Sequence, residues 1–415
     1  MNNDILDITI SGLHASYRNA TLTPEAVVDY LLEKNSQYDD RNIWIHRLTK
    51  DEIRPYLNAL ENHSPDSLPL YGIPFAIKDN LDLAGIRTTA ACHGIDRMPT
   101  DHAFIVAQLI AAGAIPIGKT NLDQFATGLV GTRSPWGPCH NAFDPDYISG
   151  GSSSGSAVAL ALGLVSFSLG TDTAGSGRVP AAFNNLIGLK ATKGLLSSTG
   201  MVRACRSLDV TSIFALTAAD ASSVFDVAAA YDPNDAYARK NSYNNSSRVK
   251  GIASGKLRLG VPQEEQLEFF GDQAAEHDFQ QSIAKWEKLG AEIVPLDFAP
   301  FLEAARLLYE GPWVSERTIA TNEVLQNAPD TLDPTVKKIV EGGVNLSAQL
   351  AFTAQYKLAA CKRLCDQHLE QVDLLLTPTT PTCYTIDELL NDPITLNSNL
   401  GYYTNYMNLV DYSGI

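Results

Sequence analysis

Two tight loops rich in glycine and serine most constrain the fold of this chain. The first reads Gly-Gly-Ser-Ser-Ser-Gly-Ser at 150–156 and leads into a predicted helix of small residues from Ala157. The second reads Gly-Thr-Asp-Thr-Ala-Gly-Ser-Gly at 170–177 and follows a strand predicted at 165–169. Glycine permits backbones to approach closely, and the small helix can lie directly against a sheet. The loops therefore predict a compact core in which polar backbone groups are packed together.

Strands and helices alternate along most of the chain. Predicted strands lie within 68–78 and at 114–117, 257–261, 291–296 and 372–376, and predicted helices lie at about 101–113 and 273–289. This alternation indicates an α/β fold. Residues 1–60 are predicted to form a helical N-terminal segment packed on the core, and the polar stretch 232–256 a surface insertion.

Length, composition and charge exclude several classes of protein. The 415 residues give a prior of two or three domains. A hydrophobic content of 45% excludes intrinsic disorder, and a net charge of -16 argues against a nucleic-acid partner. The six cysteines do not form a disulfide framework, and neither a signal peptide nor an 18-residue apolar run is visible. We therefore expect a soluble cytoplasmic protein without a membrane partner.

Three other motifs resemble functional sites but do not meet the structural requirements of those sites. Residues 113–120 match the phosphate-binding pattern G-x-x-x-x-G-K-[ST], but a helix precedes the first glycine and a strand follows it, which reverses the required order. Cys361, Cys365 and His368 share a predicted helix face, yet nothing nearby completes a zinc site. Cys139 and His140 are adjacent in a turn and point apart. None of the three indicates a function.

The serine loops together with Lys78 indicate acyl-transfer chemistry. A serine hydroxyl is a poor nucleophile until a base removes its proton, and no histidine has a suitable setting. Lys78 ends an apolar strand, so its burial would lower its pKa enough to serve as that base. The Gly/Ala-rich backbone before Ser176 could gather N–H groups around an oxyanion. The residues therefore predict a Ser–Lys acyl-transfer enzyme.

The two loops, with Arg-Val-Pro following the second, resemble the amidase signature family. The resemblance runs from about Leu70 to the end of the chain. It implies a large mixed, mostly parallel sheet flanked by helices, with residues 61–415 as the catalytic domain. It also implies a triad of Ser176 as nucleophile, Ser152 as bridging serine beside a cis peptide bond, and Lys78 as base. The oxyanion hole would be formed by the backbone N–H groups of Thr173, Ala174, Gly175 and Ser176.

Within that family, three stretches resemble the allophanate hydrolases: residues 121–135, 202–209 and 309–317. This resemblance assigns the carboxylate of a small anionic amide to Arg317 and Tyr309, and the amide end to the backbone of Gly128. Guanidinium suits a carboxylate because it binds in a bidentate manner. Without the resemblance, Tyr309 reads as helix packing and Arg317 as a surface charge, whereas Asp172 and Arg178 are expected to orient the nucleophile loop.

The resemblance implies hydrolysis of allophanate (urea-1-carboxylate) to ammonia and N-carboxycarbamate, in urea or s-triazine nitrogen catabolism. It implies no metal or organic cofactor, and we expect a homodimer. Amidase cores normally continue beyond the position of Ile415, and allophanate hydrolases usually carry a further domain, so both are expected to be missing here. The alternatives are a general amide hydrolase, one component of a glutamyl-tRNA amidotransferase, or an inactive chain that serves as a binding module.

Overall fold

The computed structural model describes residues 6–240 and 256–415. Within these ranges the strands are β1 Trp44–Arg47, β2 Pro74–Lys78, β3 Ile115–Thr120, β4 Phe167–Asp172, β5 Ile187–Lys190, β6 Val210–Ala215, β7 Arg258–Pro262, β8 Glu292–Leu296 and β9 Leu374–Leu375. The helices are α1 Ile10–Arg18, α2 Pro24–Asn35, α3 Lys50–Asn58, α4 Phe104–Ala111, α5 Ser154–Ala161, α6 Val179–Phe183, α7 Ala218–Ala228, α8 Gln273–Lys288, α9 Ala299–Glu310, α10 Trp313–Asn327, α11 Pro334–Glu341, α12 Ala348–Leu369, α13 Ile386–Asn391 and α14 Thr395–Leu400.

The larger sheet has six strands in the order β1-β3-β2-β4-β6-β5. Its central strand β2 pairs in parallel with β3 and β4, whereas β1, β6 and β5 join in antiparallel pairs. Strands β2, β3 and β4 are buried along their whole length, which is typical of sheets covered on both faces. The predicted mixed α/β fold is confirmed. The catalytic candidate Lys78 ends the strand at the middle of this sheet.

A second sheet of three strands contains the predicted strands that follow residue 256. Its order is β8-β7-β9, and both of its pairings are parallel. The predicted helix at 273–289 is α8, which begins at an Asp272 side chain that accepts from Ala275 N–H. The predicted strand at 372–376 shortens to two residues, β9. These strands therefore extend the α/β theme in their own sheet instead of lengthening the first.

The N-terminal 60 residues are not helical throughout. Their helices α1, α2 and α3 begin at Thr9, Thr23 and Thr49, whose hydroxyls cap the first turn. Between α2 and α3, however, β1 pairs antiparallel with β3 and forms an edge of the six-stranded sheet. Its four residues are all half-buried, so no alternation of apolar and polar residues marks the strand in the sequence. Apolar residues of α1, α2 and α3 lie in the same core cluster as strand β2.

The segment resembling a phosphate-binding loop is a strand, as its context predicts. Gly113, with φ +98°, ends helix α4, and β3 runs straight through Gly118, Lys119 and Thr120. Lys119 is buried and forms an ion pair with buried Asp79, at 2.6 Å. Its ammonium group is therefore part of the core.

Two other sequence features are also settled within the described residues. Cys361 and Cys365 of α12 are buried among aromatic residues of α9 and the C-terminal segment, as small apolar side chains. Of the stretch predicted as a surface insertion, 241–255 lies outside the described residues. The preceding part is not wholly on the surface, because Asp232 and Asp235 are nearly buried and accept hydrogen bonds from Ser197, Ser198 and Thr199.

Candidate active site

Lys78 lies inside the sheet with its ammonium group held by two hydroxyls. The residue has no exposed surface, and Nζ lies 2.7 Å from Ser152 Oγ and 2.8 Å from Thr171 Oγ1. Burial lowers its pKa from 10.5 to about 7, although the charges of Asp123, Asp172 and Asp209 act in the opposite direction and Arg317 adds to the lowering. Lys78 can therefore give up its proton near neutral pH.

Ser152 lies in the first loop, immediately before α5. The peptide bond between Gly151 and Ser152 is cis, as the family resemblance implies. The loop is held against the segment after β3, since Asp123 N–H donates to Ser152 O at 3.1 Å. A Cβ atom on Gly151 would lie 2.1 Å from Asp123 Oδ2, so only glycine fits there. Ser152 is thereby fixed on the ammonium group of Lys78.

Ser176 lies in the second loop, which follows β4. Asp172 at the end of β4 accepts two hydrogen bonds from Arg178, each 2.9 Å long, and one from Gly177 N–H. This bidentate ion pair closes the loop around Ser176 and agrees with the expected orienting role of Asp172 and Arg178. Ser176 Oγ donates to Gly128 O at 3.4 Å. The second loop therefore meets the 126–131 segment at the nucleophile candidate.

The backbone amides of the second loop are available to a ligand. Among the hydrogen bonds between described residues, none has the N–H of Thr173, Ala174, Gly175 or Ser176 as donor. The Thr173 hydroxyl is itself held, because it donates to Asp209 Oδ1 at 2.5 Å. Backbone N–H groups without internal acceptors are what an oxyanion hole requires.

Arg317 and Tyr309, predicted to bind a carboxylate, are in contact. Arg317 Cζ lies 5.7 Å from the centroid of the Tyr309 ring, so the cation lies over the aromatic face. Arg317 is only 2% exposed, so the alternative interpretation of this residue as a surface charge is wrong. Its Nη1 donates to Thr127 Oγ1 at 2.9 Å and to Ala126 O at 3.3 Å. Arg317 is therefore next to Gly128, the third predicted binding residue.

Sequence reasoning missed several residues that build this site. Thr171, which lies in the Gly-Thr-Asp-Thr sequence of the second loop, is the second acceptor of Lys78. Asp209 holds Thr173 and also accepts from Ala204 and Cys205 N–H; burial raises its pKa against these bonds. Asp123 accepts from three backbone N–H groups of the segment 130–133. The sequence signal for both aspartates was a carboxylate among small or apolar residues, because such a group is rarely buried unless it forms specific hydrogen bonds or ion pairs.

The chain is similar to several known proteins. The Amidase family model matches residues 26–415. The chain is 42% identical over 393 residues to urea amidolyase of Saccharomyces cerevisiae, covering 94% of this chain but 21% of that protein. It is 31% identical over 427 residues to a glutamyl-tRNA(Gln) amidotransferase component of Geobacillus thermodenitrificans, covering 95% and 87%. Kluyveromyces lactis allophanate hydrolase superposes with a TM-score of 0.89 at 40% identity, over 98% of this chain and 66% of that one.

The chain belongs to the amidase family. It spans about a fifth of the yeast urea amidolyase that it matches. Across residues 6–240 and 256–415, no helix is long and apolar enough to cross a membrane.

Proposed function

We propose that the chain is an amidohydrolase that cleaves allophanate through Ser176, Ser152 and Lys78. The observation that carries the proposal is the buried Lys78, whose Nζ lies 2.7 Å from Ser152 Oγ and whose pKa is lowered to about 7. Urea amidolyase and allophanate hydrolase are the relatives at 40–42% identity, and they support the choice of substrate.

The mechanism begins with neutral Lys78. Its lone pair accepts the Ser152 proton while Ser152 Oγ accepts the proton of Ser176, and Ser176 Oγ attacks the carbonyl carbon of the terminal amide. The resulting oxyanion is stabilised by the backbone N–H groups of 173–176. The leaving nitrogen receives a proton back through Ser152 and departs as ammonia. Water then adds to the acyl-enzyme by the same relay and releases N-carboxycarbamate.

Substrate selection rests on Arg317, Tyr309 and Gly128. Arg317 is a buried cation that forms no ion pair with a carboxylate among the described residues, so it is available to the carboxylate of allophanate. Tyr309 covers one face of the guanidinium. The Gly128 carbonyl accepts from Ser176 Oγ, and in this proposal it also accepts from the substrate's terminal amide. A neutral or long amide would leave Arg317 buried without an anion.

The first experiment measures ammonia release from allophanate by the chain and by Ser176→Ala and Arg317→Ala variants. We expect Ser176→Ala to abolish release. For Arg317→Ala we expect a KM raised by roughly a hundredfold, because a charge-assisted hydrogen-bond pair is lost. Release from glutamine or malonamide with none from allophanate would contradict the proposed substrate. Glutamine turnover would favour the function of the amidotransferase relative, and malonamide turnover would favour a general amide hydrolase.

We extend the proposal to the pathway, the cellular location and the oligomeric state. We place the reaction in urea or s-triazine nitrogen catabolism, in the cytoplasm, with a homodimer as the working form and with residues 1–60 packed on the catalytic domain 61–415. The net charge of -16 argues against binding to nucleic acid, so no nucleic-acid partner is proposed. Sedimentation equilibrium of the chain tests the dimer.

A further inference from the structure

Two buried guanidinium groups are held by one residue next to the nucleophile. Arg133 is 3% exposed, and its Nη1 donates to Thr127 O at 2.9 Å. Arg317 donates through Nη1 to the hydroxyl of the same threonine, also at 2.9 Å. The next residue, Gly128, accepts from Ser176 Oγ. Both cations therefore contact Thr127, the residue immediately before the one that the reacting serine contacts.

Neither cation has an anionic partner among the described residues. The guanidinium group of Arg133 donates only to the carbonyls of Thr127 and Pro393, and that of Arg317 only to Ala126 O and the Thr127 hydroxyl. The Nε atoms of both arginines are buried without an acceptor. By contrast, the buried cations Lys119 and Arg178 each face an aspartate.

The carboxylate of Asp123 forms no ion pair with the guanidinium group of Arg133. It accepts instead from the backbone N–H groups of Val130, Gly131 and Arg133 itself. Buried charges in proteins are normally paired, because removing an ion from water without a counter-charge is costly. Two adjacent unpaired cations therefore indicate that the bound state contains an anion.

Arg133 lies on the same cavity as Tyr309, one of the two residues proposed to bind the substrate's carboxylate. Arg133 and Tyr309 line one cavity of about 300 Å³, together with Asn397 and the exposed Glu310. Asn397 Oδ1 accepts from Leu129 N–H at 2.9 Å, and Arg133 Nη2 reaches Pro393 O at 2.6 Å. Arg133 thus joins the segment 127–129 to the loop before α14, on the wall of the cavity that Tyr309 also lines.

We propose that Arg133 is a positioning residue that determines specificity for a carboxylate-bearing amide. It holds the Thr127 backbone, so that the Thr127 hydroxyl keeps Arg317 in place, and its charge adds to the positive potential at the substrate's anionic end. The inference rests on the proposed function, because it concerns the anion that Arg317 would bind.

The test compares two ligands of nearly equal shape, anionic malonamate and neutral malonamide. Dissociation constants are measured by titration calorimetry in a Ser176→Ala background, which prevents turnover. We expect Arg133→Gln to weaken malonamate roughly tenfold or more, through the loss of a nearby charge at low dielectric, and malonamide less than about twofold. Arg133→Lys, which keeps the charge, should recover part of the loss. Arg363→Gln, which removes an exposed surface charge, should leave both constants unchanged.

Equal weakening of both ligands in Arg133→Gln, or no weakening of either, overturns the proposal, as does a parent that shows no preference for malonamate. Should Arg133→Gln fail to fold by near-ultraviolet circular dichroism, Arg133→Lys carries the test. Its single ammonium group cannot hold both carbonyls as the guanidinium does, so malonamate must still weaken several-fold more than malonamide.

Ammonia release from allophanate, measured on the unsubstituted chain, separates the two proposals. Release combined with an unchanged ligand preference in Arg133→Gln overturns the role of Arg133 alone. A preference for malonamate that depends on Arg133, without any release from allophanate, supports the anion site and overturns only the choice of substrate.

Discussion

At the scale of single residues, the chemistry depends on how Lys78 is buried. Its Nζ faces two hydroxyls, and the aspartates that favour its charged form, Asp123, Asp172 and Asp209, are engaged in other hydrogen bonds. Desolvation therefore outweighs their attraction and lowers the pKa to about 7. Lys119, equally buried one strand away, pairs directly with Asp79. Lys78 therefore differs from Lys119 in that no carboxylate contacts its ammonium group.

The lowered pKa of Lys78 predicts the pH dependence of catalysis. Only the neutral amine can accept a proton, so kcat/KM for amide hydrolysis should rise about tenfold per pH unit below pH 7 and level off above it. Stopped assays of ammonia between pH 5.5 and 9 measure the profile. Lys190→Met provides the control, because the pKa of Lys190 is also about 7 but its ammonium group donates to Tyr412 O.

That control should keep the inflection near pH 7, whereas Lys78→Met should lose activity by roughly a thousandfold. A profile that is flat between pH 5.5 and 8.5, or one whose inflection disappears in Lys190→Met, would reject Lys78 as the titrating base.

At the scale of elements, the loop between β4 and α6 is built for close packing. Gly175 has φ +148°, and a Cβ atom there would lie 2.4 Å from Thr404 Oγ1. Asp172 and Arg178 close the loop on either side of it. The loop therefore has little freedom to accommodate a side chain without moving Ser176.

Gly175→Ala should lower kcat by roughly a hundredfold, because a shift of about 1 Å in a reacting group costs that much. The matched control is Gly290→Ala, since Gly290 also has positive φ (+93°) but its added Cβ would meet no atom within 4 Å. The control should lose only about 1–2 kcal/mol of stability and keep its kcat. Steady-state kinetics and thermal melts of both variants check this, and equal kcat values in the two would show that the loop absorbs the change.

The regular elements of the core could be largely predicted from the sequence. Apolar runs and helix caps indicated β2, α4, β3, α5, β4 and α8, with ends displaced by a few residues. Strand β1 was missed because it has only four residues, all of them half-buried, and so shows no alternation of apolar and polar positions. The separate pairing of β7, β8 and β9 was missed because strand order depends on contacts between distant segments, which a local pattern does not contain.

At the scale of the whole molecule, the candidate site joins segments far apart in the chain. The candidate serines and Lys78 stand out in the sequence, since their loops are distinctive and the family resemblance supplies their proposed roles. Arg133 could not be identified from the sequence. The role proposed for it depends on its contacts with Thr127 and Pro393 and on the contact of Arg317 with the same threonine. A buried charge without a partner is visible only once every neighbour is known.

The same burial of ionisable groups predicts how stability depends on pH. The pKa values of Lys78 and Lys190 are about 7 in the folded chain against 10.5 when exposed, so between these values the unfolded chain binds more protons. The free energy of unfolding should therefore rise with pH, by about 2 kcal/mol between pH 7.5 and 8.5 for the two groups. Above pH 9 the sign reverses, because burial raises the pKa of four thiols from 9.0 to about 12, those of Cys139, Cys205, Cys365 and Cys383.

Urea unfolding at pH 7.5, 8.5, 9 and 10 should thus give maximum stability near pH 9. Lys190→Met should halve the rise between pH 7.5 and 8.5, whereas Lys288→Met, which removes an exposed ammonium group, should leave it intact. A stability that is constant or falling over that interval would mean that the two lysines keep their protons in the folded chain. Since a protonated Lys78 cannot accept the proton of Ser152, the same result would also remove the base from the proposed mechanism.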